Sequence, residues 1–196
     1  MLIGVLALQG AFKEHQEVLE RLGAASRQVR NVKDLEGIDG LIIPGGESTS
    51  MTLSAERLGL WRHVKVLLEG GLPTWGTCAG AIMLCRTIDN QMHGGQVSLA
   101  LLDVAIKRNA YGYQIASFCS PLSISDGNSF PGVFIRAPAI ESFDPERYKV
   151  IAQLPEKYDL PIAGLKGEHI MITTFHPELT DDAYFHNLFL SMIHKQ

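Results

Sequence analysis

The sequence predicts an α/β fold of the doubly wound kind, a central and mostly parallel sheet with helices on both faces. Three observations carry that expectation. Leu2 to Leu8 is a near-continuous apolar run, the pattern of a strand buried on both faces. Further apolar runs alternate with segments of helical period, a strand–helix–strand rhythm that calls for right-handed crossovers. Two glycine-rich turns, Gly45-Gly46 and Gly76 to Gly80, stand where strands end, at the edge where such sheets place their sites.

Taken in order, Gln9-Gly10 breaks the first strand. Phe12, Val18, Leu19 and Leu22 then share one helical face between Ala11 and Leu22, and Gly23 supplies a stop. Val29 to Val32 reads as a second strand and Asp39 to Pro44 as a third. Glu47-Ser48-Thr49-Ser50 is rich in capping types ahead of a helix toward Leu58, and Trp61 to Glu69 reads as another, ended by Gly70-Gly71. Pro73 opens a strand that runs into Gly76-Thr77-Cys78-Ala79-Gly80, followed at once by an apolar, helix-compatible run to Arg86. The middle of the chain differs. Leu101 to Ile106, Gln114 to Phe118, Leu122 to Ile124 and Val133 to Arg136 read as short strands without helices between them, a β-rich and partly antiparallel extension. Val150 to Leu154, Pro161 to Lys166 and Ile170 to Phe175 continue as strands, the last two joined by a turn at Gly167-Glu168. Thr180 can cap a final helix whose buried face is Phe185, Leu188, Phe189, Met192 and Ile193. With 196 residues, no repeat and no linker, the chain reads as one domain over 1–196.

Composition narrows the function classes. A net charge of −4 with scattered Lys and Arg gives no footprint for nucleic acid. No segment approaches the length of a membrane span. The apolar start lacks a basic flank and leads into Lys13-Glu14-His15, so it reads as a strand rather than a leader. Three cysteines, Cys78, Cys85 and Cys119, with no C-x-x-C suit a reducing compartment, and the cytoplasm is the expected location.

Gly76-Thr77-Cys78-Ala79-Gly80 is the G-x-S-x-G nucleophile elbow with cysteine in place of serine. Its glycines allow a sharp turn where a Cβ would clash, and the turn lifts the sulfur to a helix N-terminus, where free N–H groups and the helix dipole favour thiolate. The same window also reads as a structural cysteine in a strand-to-helix turn, since such short matches arise by chance. A nucleophile needs a base and something to orient it. Of the seven histidines, His176 has the suggestive setting: it follows a buried strand, Pro177 favours extended backbone before it, and Glu178 lies two residues on, on the same side. His15, His63, His93, His169, His186 and His194 read as surface or half-buried, and Cys85 as core. Nothing matches a metal motif, and no cofactor is expected. The backbone at Gly45 and Gly46, with the Ala79 N–H, could form an oxyanion hole, or else a plain turn and cap. Arg108 and Arg136 are candidate carboxylate clamps.

Taken together, Pro44-Gly45-Gly46-Glu47-Ser48-Thr49, Gly76-Thr77-Cys78-Ala79-Gly80 and Phe175-His176-Pro177-Glu178 resemble the class I, or triad, glutamine amidotransferases. Gly4 to Gly10, Arg108-Asn109-Ala110-Tyr111-Gly112, Phe134-Ile135-Arg136-Ala137-Pro138 and His176 to Thr180 narrow the resemblance to the glutaminase subunits of pyridoxal 5′-phosphate synthase. The motifs come in the family's order and span nearly the whole chain. The resemblance implies a flavodoxin-like three-layer sandwich with a small β-rich extension. It implies hydrolysis of L-glutamine to glutamate and ammonia, with ammonia passed to a synthase subunit in a large ring assembly. Cys78 would be the nucleophile, His176 the general acid and base, and Glu178 its orienter. Gly46, Glu47, Ser48, Arg108, Ile135 and Arg136 would bind glutamine, and Gly45, Gly46 and Ala79 would supply oxyanion donors. Activity in such subunits is weak until the synthase docks and reorders the oxyanion region, a switch suited to a mobile Gly45-Gly46 peptide.

The chain departs from the pattern at Tyr111-Gly112-Tyr113-Gln114, where many members carry Phe-Gly-Arg-Gln. The 87–100 and 144–159 stretches carry none of the motifs. Competing readings are a glutaminase serving another pathway such as histidine biosynthesis, a cysteine hydrolase or peptidase of the wider superfamily, and an inactive binding subunit. The Gly-Gly-Glu-Ser-Thr turn and Ile-Arg-Ala-Pro speak against the first, the His-Pro-Glu near the C-terminus against the second, and the intact Cys78, His176 and Glu178 against the third.

Overall fold

A computed structural model describes residues 1–89, 98–111 and 117–193. The first half alternates as expected: β1 (Leu2–Leu6), α1 (Phe12–Arg21), β2 (Ala25–Val29), β3 (Gly40–Ile43), α2 (Ser48–Arg57), α3 (Leu60–Glu69), β4 (Thr74–Thr77) and α4 (Ala79–Leu84). Strands then dominate: β5 (Cys85–Asp89), β6 (Leu102–Lys107), β7 (Ser117–Ile124), β8 (Ser129–Ile135), β9 (Ala139–Phe143), β10 (Lys149–Gln153), β11 (Ile162–Lys166) and β12 (Ile170–Thr173). A last helix, α5 (Tyr184–Ile193), closes the described chain.

Nine strands form one sheet in the order β2-β1-β3-β4-β12-β11-β10-β7-β8, and β5-β6-β9 form a second, small sheet. From β2 to β12 every neighbouring pair is parallel, and from β12 to β8 every pair is antiparallel. The parallel half has the 2-1-3-4 order of a doubly wound fold. Its strands alternate faces with the period of two that a pleated backbone imposes. Ile3, Val5, Ile42, Trp75 and Met171 meet Leu19 of α1 and Phe185, Phe189 and Met192 of α5. Leu6, Leu41, Ile43 and Ile172 face the other way, into the layer built by Met51, Ala55, Trp61, Val64, Leu68 and Ile82 of α2, α3 and α4. The result is a three-layer α/β sandwich with a β-rich extension, as expected.

Several boundaries differ, each for a physical reason. The second strand ends at Val29 instead of starting there, because β2 is a sheet edge: Ser26, Arg27 and Gln28 are only half-buried, so the strand leaves no apolar signal. Val32–Leu35 is a short 3-10 turn capped by Asn31, whose side chain accepts the Lys33 N–H. The helix after the elbow ends at Leu84, and Cys85 begins β5 rather than sitting two helical turns along; β5 carries Arg86 and Thr87 side by side and β9 Glu141 and Ser142, so neither shows the alternation that would declare a strand in the sequence. β7 is a single strand running from Ser117 through Leu122, and Pro121 stands opposite Pro131 of β8, so both missing N–H groups fall on one rung. The expected start of that strand at Gln114 lies outside the described residues. The turn at Gly167 is as expected, its N–H donating to the Ile170 carbonyl at 2.8 Å. The last helix begins at Tyr184, not Thr180: the Thr180 hydroxyl bonds the Pro177 carbonyl, while the Asp182 carboxylate accepts the Tyr184 N–H at 2.9 Å.

Candidate active site

Strand β4 ends at Thr77, and the next residue, Cys78, sits at φ 48° and ψ −104° before α4 begins. Positive φ on a residue with a side chain is strained and persists only where its surroundings hold it. Here the Cys78 N–H donates to the Thr173 carbonyl of β12 at 2.8 Å, and the Ile82 N–H reaches the Cys78 carbonyl at 3.3 Å. The flanking glycines are needed for close approach. A Cβ on Gly76 would stand 2.7 Å from the backbone of Gly80, and one on Gly80 would overlap the Ile43 carbonyl oxygen of β3. The elbow anticipated from Gly76 to Gly80 is therefore present, and its sulfur lies 3.9 Å from the Ile135 carbonyl.

His176 leaves the end of β12, the strand beside β4, and its N–H donates to the Val133 carbonyl of β8 at 2.8 Å. The expected extended run past Pro177 is instead a 3-10 turn over Pro177–Leu179. That turn still sets the two side chains together: His176 Nδ1 is 2.7 Å from Glu178 Oε1. Cys78, His176 and Glu178 are each buried to within 6% of full enclosure. Burial pulls the imidazole pKa down, but hydrogen bonds to the Cys78 sulfur and the Glu178 carboxylate, with the charges of both, outweigh it and raise the value from 6.5 to about 10. With Nδ1 on the carboxylate, Nε2 is the nitrogen left for the sulfur.

A group whose folded pKa lies above its unfolded one contributes stability that is full below about pH 6.5 and is lost as pH rises through about 10. Glu178→Gln is expected to lower the His176 midpoint and to flatten that loss. Ring-proton NMR titration of His176, with urea unfolding at the two ends of the window, measures both. An unchanged midpoint would show that the carboxylate does not hold the ring.

In front of the sulfur lies a cavity of about 560 Å³. Gly46, Glu47, Ser48, Ala79, Arg108, Ile135 and Arg136 all border it with Cys78 and His176, so the predicted glutamine-binding residues converge on one space. Gly45 lies beneath: a Cβ there would run into the His176 ring and approach Cys78 Cβ to 3.2 Å. Its carbonyl accepts the Ala11 N–H at 3.3 Å. The Glu47 carboxylate caps α2, accepting N–H groups from Thr49 at 3.0 Å and Ser50 at 2.7 Å, and Arg108 Nη2 approaches it to 3.7 Å. Burial pushes the Glu47 pKa up, and those backbone bonds more than reverse the push, leaving it below the usual value. Gln9, Ile82, Asn109 and Ser117 also line the cavity and were not among the expected site residues. Gln9 carried a usable signal, since it follows the first buried strand at the carboxyl edge of the sheet. Tyr113 lies outside the described residues.

Two other expectations are corrected. His15 and His186 are fully buried rather than surface or half-buried, because each sits on the apolar face of its helix, His15 with Val18 and Leu19, His186 beside Phe185 and Phe189. His63 is exposed and His169 half-buried; His93 and His194 lie outside the described residues. Cys85 is buried in the core, where desolvation pushes its thiol pKa far up.

Residues 5–195 match the SNO glutamine amidotransferase family. The chain belongs to that family. A Thermus thermophilus relative, pyridoxal 5′-phosphate synthase subunit PdxT, is 46% identical over 191 residues, covering 97% of this chain and 96% of its own. The same subunit from Fervidobacterium nodosum is 44% identical over 194 residues, covering 98% and 97%. A crystal structure of a glutamine amidotransferase superposes with a TM-score of 0.89 at 41% identity, covering 98% of both chains. The flavodoxin-like sandwich of this SNO family member is thus the fold of a solved glutamine amidotransferase. PurLQS from Thermotoga maritima, at 16% identity and a TM-score of 0.68, shares the fold alone. The chain is a glutamine amidotransferase, and among its described residues no helix is long and apolar enough to cross a membrane.

Proposed function

We propose that Cys78, His176 and Glu178 are the catalytic triad of the glutaminase subunit of pyridoxal 5′-phosphate synthase. The observation that carries this reading is the 2.7 Å bond from His176 Nδ1 to Glu178 Oε1, with His176 and Cys78 both bordering one open cavity. The chain hydrolyses L-glutamine to L-glutamate and ammonia, and the ammonia serves vitamin B6 biosynthesis.

The Cys78 thiolate attacks the side-chain amide carbon of glutamine, and the carbonyl electrons move to oxygen. The Ala79 N–H and the Gly45-Gly46 backbone stabilise that oxyanion. The His176 imidazolium gives its proton to the departing nitrogen, ammonia leaves, and a glutamyl thioester remains. Neutral His176 then takes a proton from water, hydroxide adds to the thioester, and collapse releases glutamate and restores the thiolate–imidazolium pair. Glu178 holds the ring in the tautomer with Nδ1–H inward and offsets the imidazolium charge. Arg108 and Arg136 engage the carboxylate end of glutamine, while Gly46, Glu47, Ser48 and Ile135 shape the rest of the pocket.

The whole chain acts as one amidotransferase domain, in keeping with a family match from residue 5 to residue 195. It passes ammonia directly to the synthase subunit, because ammonia released into water is protonated and ceases to be a nucleophile. We take the complex to be a ring of synthase subunits decorated with glutaminases, and its location to be the cytoplasm, where three unpaired cysteines are at home. Glutamine hydrolysis measured with and without the synthase subunit tests the reading. Strong stimulation by that subunit is expected; stimulation only by the synthase of another pathway would overturn it.

A further inference from the structure

We propose that His15 is a positioning residue for glutamine hydrolysis: it fixes the Glu178 carboxylate, which in turn fixes His176. The proposal rests on the triad reading given above.

One oxygen of Glu178 is engaged and the other is not. Oε1 receives His176 Nδ1–H, whereas Oε2 is buried and accepts no hydrogen bond among the described residues. A buried carboxylate oxygen without a donor is costly and leaves the group free to rotate. Helix α1 brings a donor to it. His15, fully enclosed, sets Nε2 3.4 Å from Glu178 Oε2 but off hydrogen-bond alignment, while its aligned contact, also 3.4 Å, is with the Thr77 hydroxyl beside the elbow. A small shift completes the bond, and catalytic hydrogen bonds commonly tighten in this way once substrate is bound.

The second nitrogen of His15 is accounted for as well. Nδ1 lies 2.9 Å from Nε2 of His186 on α5, and both rings pack edge-on against Trp75 of β4. The carboxylate decides which way the protons run. If His15 Nδ1 carried the proton, its Nε2 lone pair would face the Glu178 oxygen, acceptor against acceptor. The sense that avoids this is a single file: His186 Nε2–H to His15 Nδ1, His15 Nε2–H to Glu178 Oε2, and His176 Nδ1–H to Glu178 Oε1. Each of the two outer rings is neutral in this file. Burial and the neighbouring histidines hold His15 well below its ordinary pKa, and burial followed by Arg21 lowers His186 to about 3. A metal does not explain the cluster, since no three His, Cys, Asp or Glu among the described residues are placed to hold one.

A purely structural pair of histidines and a positioning pair predict different kinetics. The test is glutamine hydrolysis by the complex with its synthase subunit, comparing wild type, His15→Leu, His15→Gln and Cys78→Ala, each with its unfolding temperature. His15→Leu is expected to lower kcat about 10- to 100-fold with KM nearly unchanged, as removal of outer partners does at other tuned sites. His15→Gln, whose amide nitrogen stands near the place of Nε2, is expected to recover most of kcat. A folded His15→Leu with full kcat overturns the proposal, and so does a His15→Gln as impaired as His15→Leu. Should His15→Leu fail to fold, His15→Asn, whose amide falls short of Glu178, replaces it, and equal kcat for the Asn and Gln variants is the overturning result. Cys78→Ala separates the two layers of argument. If it still hydrolyses glutamine, the triad reading falls; if it is inactive while His15→Leu keeps full kcat, only the positioning role falls.

Discussion

Cys78→Ala is expected to lose glutamine hydrolysis by about 10⁴-fold or more while remaining folded, the scale seen when a hydrolase loses its nucleophile. The chemistry has no substitute: Cys85 is sealed in the core, and Cys119 lies on β7, in a groove away from the cavity. The fold has little to lose. Residue 78 already carries a Cβ at φ 48°, so alanine enters the same strained conformation, and the hydrogen bond the sulfur gives up is the long one to the Ile135 carbonyl, at 3.9 Å. Assay of the complex and thermal unfolding of the variant measure the two halves of the expectation. Substantial hydrolysis by the variant would remove Cys78 from the reaction.

Gly80→Ala should do the reverse, acting on the fold first. The added methyl would overlap the Ile43 carbonyl oxygen and lie 2.7 Å from its carbon, and both belong to β3 rather than to a yielding side chain. Relief requires α4 to lift from the sheet, which disturbs Ala81, Met83 and Leu84, all fully buried. Overpacking of this kind costs about 3 kcal/mol, or roughly 10 °C in unfolding temperature for a domain of this size. A variant that melts with the wild type would mean that α4 has slack the packing does not suggest. Because Cys78 rides on the same elbow, activity is expected to fall along with stability.

What could be read from the sequence followed from where the information is local. Leu2 to Leu6, Leu41 to Ile43 and Ile170 to Thr173 are buried on both faces, so their composition alone declares them strands. The elbow is equally local, because the glycines it needs are neighbours of the cysteine. Edge and small-sheet strands were less legible. Ser26, Arg27 and Gln28 are paired on one side only, and Arg86 and Asp89 of β5 face solvent, so tertiary pairing rather than composition makes them strands. The histidines are the instructive failure. His15 satisfies a ring nitrogen on His186, a partner 171 positions away. No pattern around either residue could announce that bond, although the apolar stripe of α1 already marked His15 as inward-facing. At the site, Glu47 was expected in the pocket and is there, but its carboxylate is shared with the α2 cap, a role set by geometry three residues on.

The register of β4 against β12 has a consequence for how activity arises during folding. Trp75 and Thr173, bonded across that pair, stand 98 positions apart, and the described elements between β4 and β12 are α4, the small sheet and the antiparallel half. Among the described residues the Cys78 N–H donates to the Thr173 carbonyl and the His176 N–H to the Val133 carbonyl. A chain that has completed only its first four strands carries Cys78 but not yet His176, which follows β12. Closing so long a loop is slow relative to local structure, and the pairing of β12 between β4 and β11 is what sets His176 beside the elbow. On the proposed triad, a chain without β12 in place would hold Cys78 without His176, and hydrolysis would begin only once that last strand is paired.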